Sequence, residues 1–194
     1  MRLLPQSLKE LFYRTITGEM PLLDFEQWLY ASAEVEQLLS ADDYLALLTL
    51  NYQKSGARYE LVKLLEQHID LGEFETHKLL KLLQEAILKT PRLPFILVEF
   101  YNLYCRGYDF LQDLGIGYGL AVDAPWVENT AADTWDELTS AQQAELLASF
   151  SPGLEHELDR VQRWLVTRRI ILTGERDELG HHTYRDLRPS TERR

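Results

Sequence analysis

Glutamate and histidine residues at helical spacing are the first candidates for chemistry in this chain. Glu73 and His77 stand four positions apart, so a helix would place both on one face, where they could share a metal ion. Glu155 and His156 begin a second cluster that ends at Asp159. Metal sites on helices use spacings such as H-E-x-x-H or repeated Glu-x-x-His, and the predicted helices contain neither. We therefore expect a helix-surface pair and an acidic first turn, with no bound metal or other cofactor.

Cysteine, glycine and histidine give no pattern typical of catalysis. Cys105, the single cysteine, cannot form a disulfide within the chain and is interpreted as a buried thiol in a helix. The glycines of residues 115–119 lack the G-x-G-x-x-G spacing of a dinucleotide site, so we interpret them as a helix end where backbones pack closely. His181 and His182 would lie on opposite faces of a strand and would not bind one ion together. We expect no catalytic residue and no enzyme activity.

An acidic interval with aromatic residues is the strongest sign of a binding function. Residues 107–159 contain eleven Asp or Glu and neither Lys nor Arg. A surface of one charge steers an oppositely charged partner, and aromatic side chains often anchor interfaces. The hypothesis is a contact surface for a basic protein partner, and negative charge kept only for solubility is the plainer alternative. The predicted partner-binding residues are Asp123, Trp126, Glu128, Asp133, Trp135, Asp136 and Glu137.

The overall charge argues against several other classes of function. The formal net charge is −11, whereas nucleic-acid binding needs clustered Lys and Arg, so we expect no nucleic-acid partner. No apolar run approaches the roughly 20 residues of a membrane span, and the first residues lack the apolar core of a secretion signal. We expect a cytoplasmic protein without membrane contact. Residues 151–194 are an exception to the acidity, with nine Arg against eight acidic residues, and could lie against the acidic body.

Hydrophobic periodicity predicts a mainly α protein. Apolar residues recur at helical spacing in residues 6–17, 21–30, 41–52, 57–69 and 73–89, with Gly72 separating the last two helices. Residues 93–108 are apolar on nearly all sides, which favours a central helix surrounded by the others. Ser140 and Gln143 have the spacing of a capping box. Residues 169–186 contain β-formers between glycines and predict a small C-terminal hairpin. We expect a single-domain helical bundle over residues 1–187 and a charged tail over 188–194.

Three segments resemble a family of small bacterial cytoplasmic proteins of the toxin-immunity type. They are DFEQWLY at 24–30, YNLYCRGYDFLQDLG at 101–115 and ILTGERDELGHHTYRD at 171–186. The resemblance implies a helical, non-enzymatic protein that binds and blocks a cognate toxin, often a basic nuclease. The acidic interval fits that role.

Two alternatives of other classes stay open. One is an enzyme with a metal or an acid/base pair inside the bundle, for which Glu73, His77, Glu155 and His156 are the candidates. The other is a helical scaffold that associates with itself through the helix of residues 95–104 or the amphipathic N-terminal helix. The sequence leaves the oligomeric state open.

Overall fold

A computed structural model describes residues 4–126 and 133–193. The chain divides into two compact units, Met1–Phe74 and Glu75–Arg194. The boundary falls within one helix, Leu71–Ile87, which therefore contributes residues to both units.

The first unit consists of short helices around an aromatic and aliphatic core. Its helices are α1 (Gln6–Thr17), α2 (Leu22–Ala31), α3 (Ala33–Leu38), α4 (Ala41–Thr49), α5 (Ala57–Glu66) and the start of α6 (Leu71–Ile87). Gly18 ends α1 in the left-handed conformation, with φ of 86°, which glycine adopts without steric cost. The Ser40 hydroxyl caps α4 by accepting a hydrogen bond from the Asp43 amide at 3.1 Å. Phe12, Phe25 and Leu29 of this unit are fully buried.

The second unit combines helices with one small sheet. After the end of α6 come α7 (Leu93–Cys105), a 3-10 turn (Asp109–Leu111), α8 (Gln112–Leu114), a π turn (Gly115–Gly119), α9 (Leu120–Asp123), a 3-10 turn (Trp135–Glu137), α10 (Ser140–Ser149), α11 (Gly153–Val166), β1 (Ile170–Arg176), β2 (His182–Asp186) and a 3-10 turn (Ser190–Glu192). The capping box predicted at Ser140 and Gln143 is wrong by one residue. Thr139 and Gln142 form it, because α10 begins at Ser140 and the residue before the helix provides the cap.

Helix α7 lies at the centre of the second unit's core, and glycines let a second helical segment approach it closely. A Cβ atom at Gly115 would lie 3.0 Å from the Cβ of Tyr104, and one at Gly119 would lie 2.8 Å from the Cβ of Tyr101 and overlap the Leu97 carbonyl oxygen. Only glycine fits at position 119, whereas a side chain at position 115 would require its neighbours to shift by a few tenths of an ångström. Close packing is therefore confirmed, but these glycines lie inside the helical residues 109–123 and do not end a helix.

The C-terminal hairpin covers one end of this core. β1 and β2 pair antiparallel, with Ile170 opposite Asp186 and Leu172 opposite Tyr184, and the register is irregular between Leu172 and Arg176. Ile170 and Leu172 are buried because alternate residues of β1 face the helices.

Histidine and cysteine side chains near the hairpin have opposite exposures. His182 is buried and stacks on Tyr108, with ring centroids 4.7 Å apart, whereas His181 is exposed beside Asp177. The two histidines thus differ in exposure as predicted, although β2 begins at His182 and does not include His181. Cys105 is exposed, so its interpretation as a buried thiol is wrong: it is the last residue of α7, beyond the turns that the core covers.

The fold class predicted from the sequence is confirmed, since the protein is mainly α with a two-stranded C-terminal hairpin. The buried apolar side chains form two clusters, one in each unit. The single domain over residues 1–187 stays a prediction. Among the described residues, no helix combines the length and the apolarity needed to cross a membrane.

Candidate partner-binding groove

One face of α7 is left uncovered by its neighbours. Phe95 is 68 % exposed, and Val98, Glu99 and Asn102 follow it three, four and seven positions later on the same side of the helix. The remaining faces are covered, and Phe100 on one of them is fully buried. An apolar side chain as large as Phe95 therefore lies in solvent beside polar neighbours.

This uncovered face forms one wall of a groove with a volume of about 690 Å³, here called the α7 groove. The other walls come from the second half of α6, from α9 and from the 3-10 turn that follows Thr134. The lining residues are Leu82, Arg92, Pro94, Phe95, Ile96, Val98, Glu99, Asn102, Val122, Asp123, Thr134, Trp135 and Asp136. Pockets of this volume hold ligands or side chains of a partner.

Trp135 lies in the groove wall, and hydrogen bonds on both sides hold the turn that contains it. Its indole is half-buried against the apolar core of the second unit. Its carbonyl oxygen accepts a hydrogen bond of 2.9 Å from the Gln143 side chain in α10, and the Glu137 carboxylate accepts one of 2.8 Å from the Asp133 amide. The turn is thus fixed by the first turn of α10.

The arginine of the groove is paired with a carboxylate, whereas the groove's own carboxylates have no ion-pair partner among the described residues. Arg92 is bound to Glu85 at 2.7 Å. Among the residues that the structure describes, Glu99, Asp123 and Asp136 form no ion pair. Three carboxylates without an ion-pair partner among the described residues therefore line the same groove as the exposed ring of Phe95.

The perturbed pKa of a tyrosine beside the groove includes a minor contribution from the groove carboxylate Asp123. The pKa of Tyr101 is raised above its ordinary value, first by its hydrogen bond with Cys105 and further by the negative charge of Asp123. A nearby carboxylate opposes loss of the phenolic proton because the phenolate would carry a like charge.

A second groove of about 560 Å³ adjoins the first and shares Pro94, Phe95 and Trp135 with it. The two aromatic side chains therefore line both grooves. In the second groove the Lys89 ammonium binds Glu155 at 2.6 Å. The carboxylates without an ion-pair partner thus line the α7 groove and not the second groove.

The predicted partner-binding residues divide into three groups. Asp123, Trp135 and Asp136 line the α7 groove together. Asp133 and Glu137 lie in the adjoining turn, and both are exposed. Trp126 follows α9 with 83 % of its surface exposed, and it does not line the groove. Glu128 lies outside the described residues.

Residues of α7 were missed by the sequence reasoning. Phe95, Val98 and Glu99 contribute the longest wall of the groove, although their segment was interpreted as surrounded by other helices. Glu99 and Asn102 interrupt the apolar run and mark one face, and Phe95 falls on that face at helical spacing. That pattern could have identified an uncovered side of the helix.

The candidates for an enzyme site lie in surroundings typical of surface ion pairs. Glu73 binds Lys9 at 2.6 Å in the first unit. In the second unit, Glu155 binds Lys89 and accepts a hydrogen bond from Ser151 at 2.6 Å, and these partners lower its pKa to about 2. Within residues 4–126 and 133–193, no group of three or more His, Cys, Asp or Glu side chains is placed to hold a metal ion. The enzyme alternative stays a prediction.

Fold and groove together describe a mainly α protein with an open, acidic and aromatic groove on its second unit. Comparison with protein-family models, curated proteins and solved structures finds no match to this chain.

Proposed function

We propose that this chain is a non-enzymatic protein-binding module whose α7 groove takes a basic, partly apolar segment of a partner protein. The proposal includes a cytoplasmic site of action and an inhibitory outcome, as in toxin immunity. The observation that carries it is that the exposed ring of Phe95 lines one groove with three carboxylates, Glu99, Asp123 and Asp136, that form no ion pair with described residues.

Charge complementarity selects the occupant of the groove. Unpaired carboxylates attract Lys and Arg side chains, increase the rate of encounter and disfavour acidic competitors. A neutral apolar segment would leave the three carboxylates without partners and would partly desolvate them, which costs free energy. A basic segment with apolar residues between its charges satisfies both parts of the surface.

Aromatic side chains supply the anchoring area. Phe95 lies largely in solvent, so a partner that covers it gains the hydrophobic free energy of that ring. The Trp135 indole is already half-buried against the core of the second unit, so little side-chain entropy is lost when it is covered. The groove is therefore suited to binding without rearrangement.

The test compares two triple charge reversals of the full chain. The groove variant carries Glu99→Lys, Asp123→Lys and Asp136→Lys. The control variant carries Glu145→Lys, Asp159→Lys and Glu178→Lys, three exposed positions that line neither groove and give the same change in net charge. Both are used with wild type to capture proteins from the native cell, and each captured protein is then purified and its Kd measured.

We expect one basic protein that binds wild type and the control with similar affinity and the groove variant at least about a hundredfold more weakly, since two or more charge contacts are lost. Raised salt should weaken the wild-type complex because exposed charges are screened. Phe95→Ala, which preserves the charges, should weaken it as well. Equal affinity for the two triple variants would contradict the proposal.

Two further measurements separate the proposal from its rivals. The inhibitory role requires that the partner, expressed alone, harms the cell, and that co-expression of wild type but not of the groove variant prevents the harm. A wild-type dimer that Phe95→Ala converts to monomers would place a second copy in the groove, and would overturn the assignment to a basic partner.

A further inference from the structure

Arginine side chains line a separate pocket of about 390 Å³ at the C-terminal end of α11, which shares no residue with the α7 groove. Arg160 and Arg163 come from α11, Arg169 precedes β1, and the last 3-10 turn closes the pocket. The buried Trp164 completes its lining. In a chain with a net charge of −11, three arginines around one small pocket are a local exception, and two of them, Arg160 and Arg169, have carboxylate partners of their own. We call it the arginine pocket.

A carboxylate of the chain itself occupies the arginine pocket. One oxygen of Glu192 binds the Arg169 guanidinium at 2.6 Å, and the other accepts a hydrogen bond of 3.0 Å from the Trp164 indole nitrogen. These two donors lower the pKa of Glu192, Arg169 contributing most. The pocket is therefore shown to bind an oxyanion through a fixed indole N–H and a guanidinium.

One donor of the pocket is not used by Glu192. Arg163 forms no ion pair with any described residue. The Nε atom of Arg160 also lacks a hydrogen-bond partner among them, but it is fully buried and out of reach of a ligand as the pocket stands. The terminal nitrogen of Arg160 is bound to Asp113 and Glu157, which fixes the position of its guanidinium. Glu192 therefore leaves the Arg163 guanidinium of the pocket without an anionic partner.

A phosphate group matches the donors of the pocket better than a carboxylate. It has three terminal oxygens and up to two negative charges, and guanidinium groups bind such oxygens in pairs with good geometry. The indole N–H is held in place because Trp164 is buried and lies against two guanidinium groups, those of Arg188 at 4.3 Å and Arg160 at 5.0 Å from its ring. The volume leaves room for a small organic group beside the phosphate.

We infer that the arginine pocket is a binding site for a small phosphate monoester, and that the Glu192 carboxylate stands where the phosphate binds and leaves when it does. Arg193 limits how far the chain moves on release, since its guanidinium donates to the Arg188 and Asp186 carbonyl oxygens at 2.7 and 3.0 Å.

Inorganic phosphate is the first probe, titrated at constant ionic strength into wild type and into Glu192→Ala. The signal is the indole N–H resonance of Trp164 in a proton–nitrogen correlation spectrum, and the other tryptophan indoles serve as internal controls. We expect saturable binding by Glu192→Ala, at least about tenfold tighter than by wild type, because the internal competitor is absent. A Glu192→Ala protein without a saturable shift would overturn the inference.

A matched pair of arginine variants tests whether phosphate binds in the arginine pocket. In the Glu192→Ala background, Arg163→Gln should weaken phosphate binding about tenfold, since a charge-assisted contact is lost. Arg185→Gln removes the same charge from an exposed position on β2 outside the pocket and should have no effect. Equal effects of the two substitutions would show a general response to charge and contradict the site.

Two other ligands test the chemical class. Glycerol 3-phosphate should bind at least as tightly as inorganic phosphate, because the ester keeps the terminal oxygens, and markedly weaker binding would refute a monoester ligand. Acetate should bind more weakly than phosphate because it carries one charge. Acetate binding as tight as that of phosphate would assign the pocket to carboxylates instead.

Discussion

Phe95 and Phe100 are the same residue type on the same helix, yet their environments are opposite. Phe100 lies on the faces of α7 that other elements cover, and it has no exposed surface. Phe95 lies on the face that forms the wall of the α7 groove, and 68 % of it is exposed. The covered faces of α7 thus stabilise the second unit, whereas the uncovered face is available for a partner.

The comparison separates two uses of one apolar helix. On the covered side, close glycine packing and the hairpin exclude water from the core. On the uncovered side, the carboxylates of Glu99 and Asp123 line the same groove as the exposed ring. Substitutions on the covered side should change stability, and those on the uncovered side should change binding.

The largest expected effect comes from truncating the two phenylalanines. Phe100→Ala should lower the free energy of unfolding by about 3–5 kcal/mol, because a buried ring is lost and a cavity remains. Phe95→Ala should change it by no more than about 0.5 kcal/mol, since solvent already surrounds that ring. Urea unfolding of both variants measures the two values. Similar losses at the two positions would end the distinction between the faces of α7.

A second pair of substitutions tests the closeness of packing on the covered side. Gly119→Ala should destabilise by about 1–3 kcal/mol because its methyl group would overlap the Leu97 carbonyl oxygen. Gly117→Ala, two residues away, meets no atom within 4 Å and should stabilise by about 0.5–1 kcal/mol, since alanine loses less backbone entropy in a helix. Thermal unfolding distinguishes the signs. A stable Gly119→Ala protein would refute the close approach.

The smallest expected effect concerns the hairpin that covers the end of α7. Burial, and then the positive charge of Arg176, lower the pKa of His182 below its ordinary value of 6.5, while Glu75 acts in the opposite direction. The unfolded chain therefore binds a proton at higher pH than the folded chain does. This contribution to stability is complete above pH 6.5 and is lost as pH falls through 6.5 toward the folded-state pKa.

His182→Phe removes this titration while keeping an aromatic ring on Tyr108. Between pH 7.5 and 5.5, the free energy of unfolding should fall more for wild type than for the variant, and above pH 7.5 the two curves should run parallel. Urea unfolding at a series of pH values gives both curves. The same slope for both proteins below pH 6.5 would show that His182 does not resist protonation.

Much of the local structure could be predicted from the sequence. The helix of residues 6–17 has its predicted bounds, and the C-terminal hairpin forms where β-formers and glycines indicated it. The errors in the predicted helices are displacements of one to three residues at helix ends. Gly72 was expected to separate two helices, and the break lies just before it, since α5 ends at Glu66 and α6 begins at Leu71, which places Gly72 in the first turn of α6. The capping box is displaced by one residue.

The candidate site was predicted only in part. The acidic interval supplied Asp123, Trp135 and Asp136, because clustered charge and aromatic residues are visible in a sequence. Phe95 was missed because the apolar run of α7 does not say which neighbours cover each face. A helix that is apolar all round predicts burial, and the exception arises from the shape of the elements packed around it.

The sequence by itself determined the helical class, the positions of most helices, the hairpin and the separation of an acidic interval from an arginine-rich end, since periodicity and composition are properties of neighbouring residues. Only the tertiary structure decided which face of α7 is open, and that Asp123 and Asp136 meet in one groove. It also decided that Glu192 binds Trp164, 28 positions earlier in the chain. Such contacts depend on how elements pack in space, which no local pattern specifies.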